Sequence, residues 1–430
     1  MYSNHTMSKF VIQGGQRLGG EIRISGMKNA VTALLTATLL TREECRLDNV
    51  PRIADVETML TIIRSAGAKA QWVSDHEVAV EAKGIDSLKL NKHMVCAMRS
   101  SVLLAGPLLA RTGSLNLPEP GGCIIGNRPL DTHLVAFEAM GVKIERSNGV
   151  YELQGKPKAA EIVLPEFSVT ATENVLMAAV LAPGKTVIKL AAAEPHVQDL
   201  CSMLKKMGAR IAGMGTHTLV IEGAQELRGV KHTVIPDQIE VGTFAALAGA
   251  THSSLTLYPI VAEHLDSVFT ALKRAGVGYE SRIKNQESRI SELKIFPSSS
   301  LSGFKIQALP YPGFPTDLQA PFAVLATQCK GTSLIHDPLF EGRMGYVHEL
   351  IKMGANAIIA DPHRVIIAGP TSLSGQEIKS LDLRAGATLV IAGLVAEGET
   401  ILHDAEVIDR GYENLEVRLK AIGAEIKRVN

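Results

Sequence analysis

One unit recurs six times along the chain, and this constrains the fold more than any other feature. Six helix ends read RSAGAKA, EAMGVKI, KKMGARI, KRAGVGY, IKMGANA and KAIGAEI, with glycines at Gly67, Gly141, Gly208, Gly276, Gly354 and Gly423. The intervals between them are 74, 67, 68, 78 and 69 residues. A glycine just past a helix end takes the left-handed conformation that terminates it. The helices ahead of these glycines are amphipathic: Leu265, Val268, Phe269 and Leu272 fall at i, i+3, i+4 and i+7. Self-similarity at a fixed period means one supersecondary unit used repeatedly.

Each unit carries a second, more uniformly apolar helix, over Ala30–Leu40, Ser101–Ala110, Thr172–Ala182, Val241–Ala250, Leu318–Thr327 and Ala387–Ala396. A helix apolar on most sides is buried on most sides. Short strands follow, at Leu115–Leu117, Thr186–Leu190, Ser254–Leu257, Ser333–Ile335 and Thr400–Leu402. The expected class is therefore α/β (α+β), with six units divided into two domains of three. The last unit runs out of strands before Asn430, while Lys9–Ser25 has two strand-like stretches to spare, so the N-terminus is expected to complete it. The domains are then residues 28–235, and 1–27 with 236–430, joined near Ile24–Lys28 and Val234–Val241 with a cleft between them. Domain interfaces are common ligand sites.

The bulk numbers exclude some partners. The 44 basic and 44 acidic side chains cancel, so no net field points to nucleic acid or an anionic membrane. At 4% aromatics, stacking platforms for single strands are a poor match. Five cysteines without a CxxC pair argue against a disulfide framework and against structural zinc. MYSNHTMSKF lacks the apolar run of a signal peptide, and runs such as Val31–Leu40 are too short to span a bilayer. A soluble cytoplasmic protein is expected.

Chemistry gathers in two places. Leu117–Leu134 reads LPEPGGCIIGNRPLDTHL, where Gly121 and Gly122 allow angles other residues avoid, and Cys123 lies close to Arg128. A thiol near a guanidinium has its anion favoured, which suits nucleophilic or proton-transfer work. On spacing alone, the stretch reads equally as a surface turn with an incidental cysteine. Polar residues also gather at the starts of the apolar helices: Lys28 and Asn29, Arg99, Ser168, Asp317, and Asp382 with Arg384. Helix N-termini favour anions. Arg128, Arg343 and Arg410 lie in the Gly- and Pro-rich loops GNRP, EGRMG and DRGYE. Such a cluster suits a substrate bearing phosphate and carboxylate. His133 and His196 have no partner at metal spacing and read as packed or capping residues, and GMGTHT lacks the third glycine of a dinucleotide fingerprint.

Five motifs in order, SGMKNA at Ser25–Ala30, GGCIIGNRPLD at Gly121–Asp131, FPTDLQA at Phe314–Ala320, DLRAGA at Asp382–Ala387 and IDRGYE at Ile408–Glu413, resemble the UDP-N-acetylglucosamine 1-carboxyvinyltransferases. The resemblance implies a two-domain inside-out α/β barrel of six βαβαββ repeats, helices in and sheets out. It implies transfer of the enolpyruvyl group of phosphoenolpyruvate to the 3′-hydroxyl of UDP-N-acetylglucosamine, with release of phosphate, in the first committed step of peptidoglycan synthesis. These small molecules are the expected partners, with no cofactor and no metal. By the same resemblance Cys123 is the loop thiol that protonates the vinyl carbon and the target of fosfomycin, and Asp317 takes the sugar hydroxyl proton. Lys28, Asn29, Arg128, Arg343, Asp382, Arg384 and Arg410 correspond to phosphoenolpyruvate contacts. Arg99, Arg128, Pro129, Leu130, Asp131, Thr132, Glu166, Phe167, Ser168, Val169, Asp317 and Leu339 correspond to contacts of the nucleotide sugar.

The chain departs from the family pattern at Thr170, where glycine is usual, at Gly342 for asparagine, at Val407 for histidine, and by an added acid at Glu119. The sister enzyme acting on shikimate 3-phosphate lacks the Cys loop. Two other readings are a relative acting on another nucleotide and a binding protein that kept the fold. Intact Cys123, Asp317 and Lys28 argue against the last.

Overall fold

A computed structural model describes residues 8–122, 126, 128–286 and 289–430. By backbone proximity the chain divides into two units, one of residues 1–25, 124–127 and 236–430, the other of 26–123 and 128–235. Among the described residues each unit holds three small sheets.

The pattern is plainest between 161 and 222. Strand Glu161–Val163 leads through the buried helix Val169–Ala179 to strand Lys185–Lys189, and helix Pro195–Lys206 leads to the hairpin Arg210–Ala212 and Thr218–Glu222. The first strand pairs parallel with Lys185–Lys189, and the remaining pairs are antiparallel. This is a βαβαββ unit, and the same order of one parallel edge and two antiparallel pairs recurs in four other sheets.

At the crossings the edge strands are exchanged. Gly19–Arg23 precedes the helix Lys28–Ala37 but pairs parallel with Ser254–Val261. Lys231–Thr233 precedes the helix Gln238–Ala250 but pairs parallel with Cys45–Asp48. Of the two N-terminal strands, only Lys9–Gln13 enters the last sheet, between Glu399–His403 and Glu425–Val429. The N-terminus thus completes the last unit as expected, through this one strand, while Gly19–Arg23 serves a different sheet of the same compact unit. Gly19–Arg23 has little alternation to mark its partner, with Ile22 its one buried side chain.

The amphipathic helices end as their glycines dictate. Gly67, Gly141, Gly208, Gly276, Gly354 and Gly423 all have positive φ, between 80° and 109°. The apolar helices form the cores: Gln238–Ala250 is buried at every position, as is Gln319–Thr327. Burying a Leu, Val or Phe side chain contributes about 1.5–3 kcal/mol, so these helices are held by packing rather than propensity. No helix among the described residues is long and apolar enough to cross a membrane.

Candidate active site

In the unit of residues 26–123 and 128–235, Lys28 opens the helix Lys28–Ala37 with Asn29 beside it. The Lys28 ammonium lies 2.9 Å from Asp55, both side chains largely buried. Asp55 stands in the first turn of the helix Ala54–Ser65 and was not singled out from the sequence. An Asp in a first turn is a common surface feature, so only the packing of the two helices distinguishes it.

Arg99 starts a 3-10 turn, Arg99–Leu104, and its guanidinium donates from Nη2 to the carbonyls of Arg128 and, at 3.1 Å, Pro129. Burial and then the neighbouring Arg128 charge lower its pKa, the state of a cation that gains from an added anion. Gly122, at φ +116, rests on Arg99: a Cβ there would lie 3.0 Å from the Arg99 backbone nitrogen. Cys123 lies outside the described residues.

Two links tie the segment after this loop to the start of the helix Val169–Ala179. Thr132 Oγ1 donates to Glu166 Oε1 at 3.0 Å, and Thr170 Oγ1 lies 2.9 Å from His133 Nε2. Leu130 is buried, and Asp131 opens the helix Asp131–Ala139. Ser168 is the N-cap of the 169–179 helix, its hydroxyl accepting from the Ala171 N–H, which satisfies one free donor. Phe167 is exposed and meets His217 edge-on at 4.8 Å. His133 is buried, and burial, with the Arg99 charge, pushes its pKa down to about 3, so the ring is neutral at pH 7.

The other unit centres on Asp317. It sits in the 3-10 turn Thr316–Leu318 ahead of the helix Gln319–Thr327. Arg343 Nη1 donates to Oδ1 at 2.7 Å and Arg384 Nε to Oδ2 at 3.2 Å. Asp382 caps the helix Leu383–Val395, its carboxylate accepting from the N–H groups of Arg384 and Ala385. The cap fixes the backbone that carries Arg384. Burial opposes the Arg384 charge, but Tyr412, Asp317 and Asp237 outweigh it and raise the pKa. Gln319 holds the turn from below, receiving the Tyr346 hydroxyl at 2.7 Å and donating to the Arg343 carbonyl at 3.4 Å. Leu339 is exposed, with its N–H bound to Asp337 at 3.0 Å. Arg410 closes the 3-10 segment Ala405–Arg410. Asp337 was missed from sequence, where it reads as a loop acid.

Chemically, one unit presents Lys28, Arg99 and Arg128, and the other a carboxylate flanked by two guanidiniums. Among the described residues no group of His, Cys, Asp and Glu could hold a metal ion.

Comparison with known proteins decides the family. Residues 12–419 match the family described as EPSP synthase (3-phosphoshikimate 1-carboxyvinyltransferase). A UDP-N-acetylglucosamine 1-carboxyvinyltransferase of Bradyrhizobium diazoefficiens is 43% identical over 424 residues, covering 98% of both chains. The chain belongs to the family of UDP-N-acetylglucosamine 1-carboxyvinyltransferases. Another relative, UDP-N-acetylglucosamine 1-carboxyvinyltransferase 2 of Carboxydothermus hydrogenoformans, is 44% identical over 99% of this chain and 100% of its own. Among solved structures, the enolpyruvyl transferase NikO of Streptomyces tendae aligns with a TM-score of 0.88 at 25% identity, over 98% of this chain and 99% of that one. EPSP synthase of Acinetobacter baumannii aligns at 0.79 and 18% identity over 99% and 100%, a likeness of fold. The carboxyvinyltransferase family shares the inside-out α/β architecture, and this chain is an enzyme.

Proposed function

We infer that the chain transfers the enolpyruvyl group of phosphoenolpyruvate to the 3′-hydroxyl of UDP-N-acetylglucosamine and releases phosphate, the first committed step of peptidoglycan synthesis. The observation that carries this is the full-length match to relatives of that name at 43% and 44% identity. Cys123 and Asp317 in their motifs support it.

In this reading Cys123 delivers a proton to the methylene carbon of phosphoenolpyruvate, leaving cationic character on C2. The 3′-oxygen attacks C2 while Asp317 takes its proton. Arg343 and Arg384 each donate to one Asp317 oxygen, which fixes the carboxylate plane that takes the proton. Loss of a proton from the new methyl group and departure of phosphate restore the vinyl ether. Lys28, Asn29, Arg128, Arg343, Arg384 and Arg410 serve the phosphoenolpyruvate side, binding its anionic groups and stabilising the departing phosphate, and Asp382 serves it by capping the helix that carries Arg384. Arg99, residues 128–132 and 166–169, and Leu339 serve the nucleotide sugar.

We place the reaction in the cytoplasm. Cys45, Cys96, Cys201 and Cys329 are free thiols, which suits a reducing compartment. The test is phosphate release from phosphoenolpyruvate by purified protein, with and without UDP-N-acetylglucosamine. Release that needs the sugar supports the assignment, and equal release with shikimate 3-phosphate contradicts it.

A further inference from the structure

We propose that Asp337 is a positioning residue for the acceptor half of the reaction, its buried carboxylate holding the Thr316–Asp317 turn and the Leu339 backbone in one register. The proposal rests on the reading of Asp317 as proton acceptor and Leu339 as a sugar contact.

Asp337 follows the strand Gly331–His336 and is fully buried. Oδ2 accepts from Thr316 Oγ1 at 2.5 Å, and Oδ1 accepts from the Leu339 N–H at 3.0 Å. Its own N–H donates to the His363 carbonyl at 2.8 Å, and its carbonyl accepts from His363 Nδ1 at 2.7 Å. With backbone and carboxylate both engaged, the side chain has no freedom to swing. One arm ends on the residue before Asp317. The other ends on the backbone proposed to meet the sugar.

A buried carboxylate is costly unless its bonds are needed. Burial pushes the Asp337 pKa up, Thr316 and Arg343 oppose the rise, and the Asp317 charge adds to it. Tyr346, whose hydroxyl is committed to Gln319, lies in the same field. Among the described residues the charged groups acting on Asp337 are Arg343 and Asp317, both of the candidate site, with the titratable His363 ring on its backbone carbonyl. A general base must sit within hydrogen-bond reach of its proton, and a misplacement of about 1 Å can cost roughly a hundredfold in rate. The Thr316 bond ties the turn to the residue that directly follows the strand Gly331–His336.

Steady-state kinetics on Thr316→Val, Thr316→Ser and Asp337→Asn test this, each variant checked by thermal unfolding. Thr316→Val keeps the volume and removes the hydroxyl. Its kcat/KM for UDP-N-acetylglucosamine is expected to fall roughly ten- to a hundredfold. KM for phosphoenolpyruvate should stay within about twofold. Thr316→Ser should recover most of the loss. Asp337→Asn removes a like charge beside Asp317, so the acid limb of the kcat profile should move to lower pH, which a purely structural role would not cause. If Asp337→Asn does not fold, the Thr316 pair decides. Unchanged kinetics in Thr316→Val, or no recovery with serine, overturns the proposal. Asp317→Asn separates the two levels. If it keeps turnover, the reading of Asp317 itself fails. If it abolishes turnover while Thr316→Val is normal, only the role of Asp337 fails.

Discussion

Arg384 donates from Nε to Oδ2 of Asp317 at 3.2 Å, while Nη1 of the same guanidinium is buried with no acceptor among the described residues. Arg343 repeats the arrangement: Nη1 is bound to Asp317 and Nε is buried with no partner among the described residues. A buried donor left unsatisfied is destabilising, more so when charged. Two such donors around one carboxylate suit an anion that arrives from outside.

Arg384→Lys should therefore impair use of phosphoenolpyruvate. It keeps the charge but loses the fork that can serve Asp317 and an anion together. A charge-assisted bond is worth about 1.5–3 kcal/mol, or roughly ten- to 150-fold in an equilibrium. KM for phosphoenolpyruvate is the readout, and normal saturation would remove Arg384 from the anion site.

Lys28 should matter for stability as well as for binding. Its ammonium is 2.9 Å from the buried Asp55. Breaking a buried pair from one side typically costs about 3–5 kcal/mol. Lys28→Ala should lose stability of that order in denaturant unfolding and saturate poorly with phosphoenolpyruvate. Lys28→Ala in an Asp55→Asn background should recover part of the stability but not the saturation.

The thiols should separate by reactivity. Burial pushes Cys45 up to about 11, and Cys201 and Cys329 up to about 12, so none is a thiolate at neutral pH. Cys96 is exposed. A general alkylating reagent at pH 7 is expected to label Cys96 and Cys123 and to reach the other three only in denaturant. Fosfomycin is expected to modify Cys123 alone. Peptide mass spectrometry reads both results, and labelling of Cys201 in the native protein would contradict the packing.

His133 should make the fold acid-sensitive. Its pKa is held near 3 against an ordinary 6.5. The unfolded chain therefore takes up a proton below about 6.5 that the folded state refuses, and stability falls with pH between these values by about 1.4 kcal/mol per unit. Glu173, buried and raised, works in the opposite sense, losing stability as pH rises. The comparison is thus between wild type and His133→Gln. From pH 7 to 4.5 the wild type should lose more, by roughly 2–3 kcal/mol. Parallel slopes would mean that His133 protonates in the folded state.

Local signals were legible in the sequence because local physics decides them. The helix-ending glycines, the apolar helices and the polar residues at helix starts depend on near neighbours. What escaped is long-range. Gly19–Arg23 pairs with a strand more than two hundred residues on, and its own pattern does not name that partner. Asp55 and Asp337 are ordinary acids until folding brings Lys28 and Thr316 to them. The Thr170 hydroxyl, a departure from the family pattern, finds His133 only through the packing of two helix starts.

The most direct test of the central claim follows the carbon that changes bonds. Phosphoenolpyruvate labelled with ¹³C at C2 is incubated with the enzyme and UDP-N-acetylglucosamine, and ¹³C and ³¹P spectra are recorded together. The account expects a vinyl ether carbon coupled through oxygen to C3 of the sugar, with phosphate appearing in equal amount, and no such signal with Asp317→Asn. Label that stays in phosphoenolpyruvate, or that moves only when shikimate 3-phosphate is supplied in place of the sugar, would contradict it.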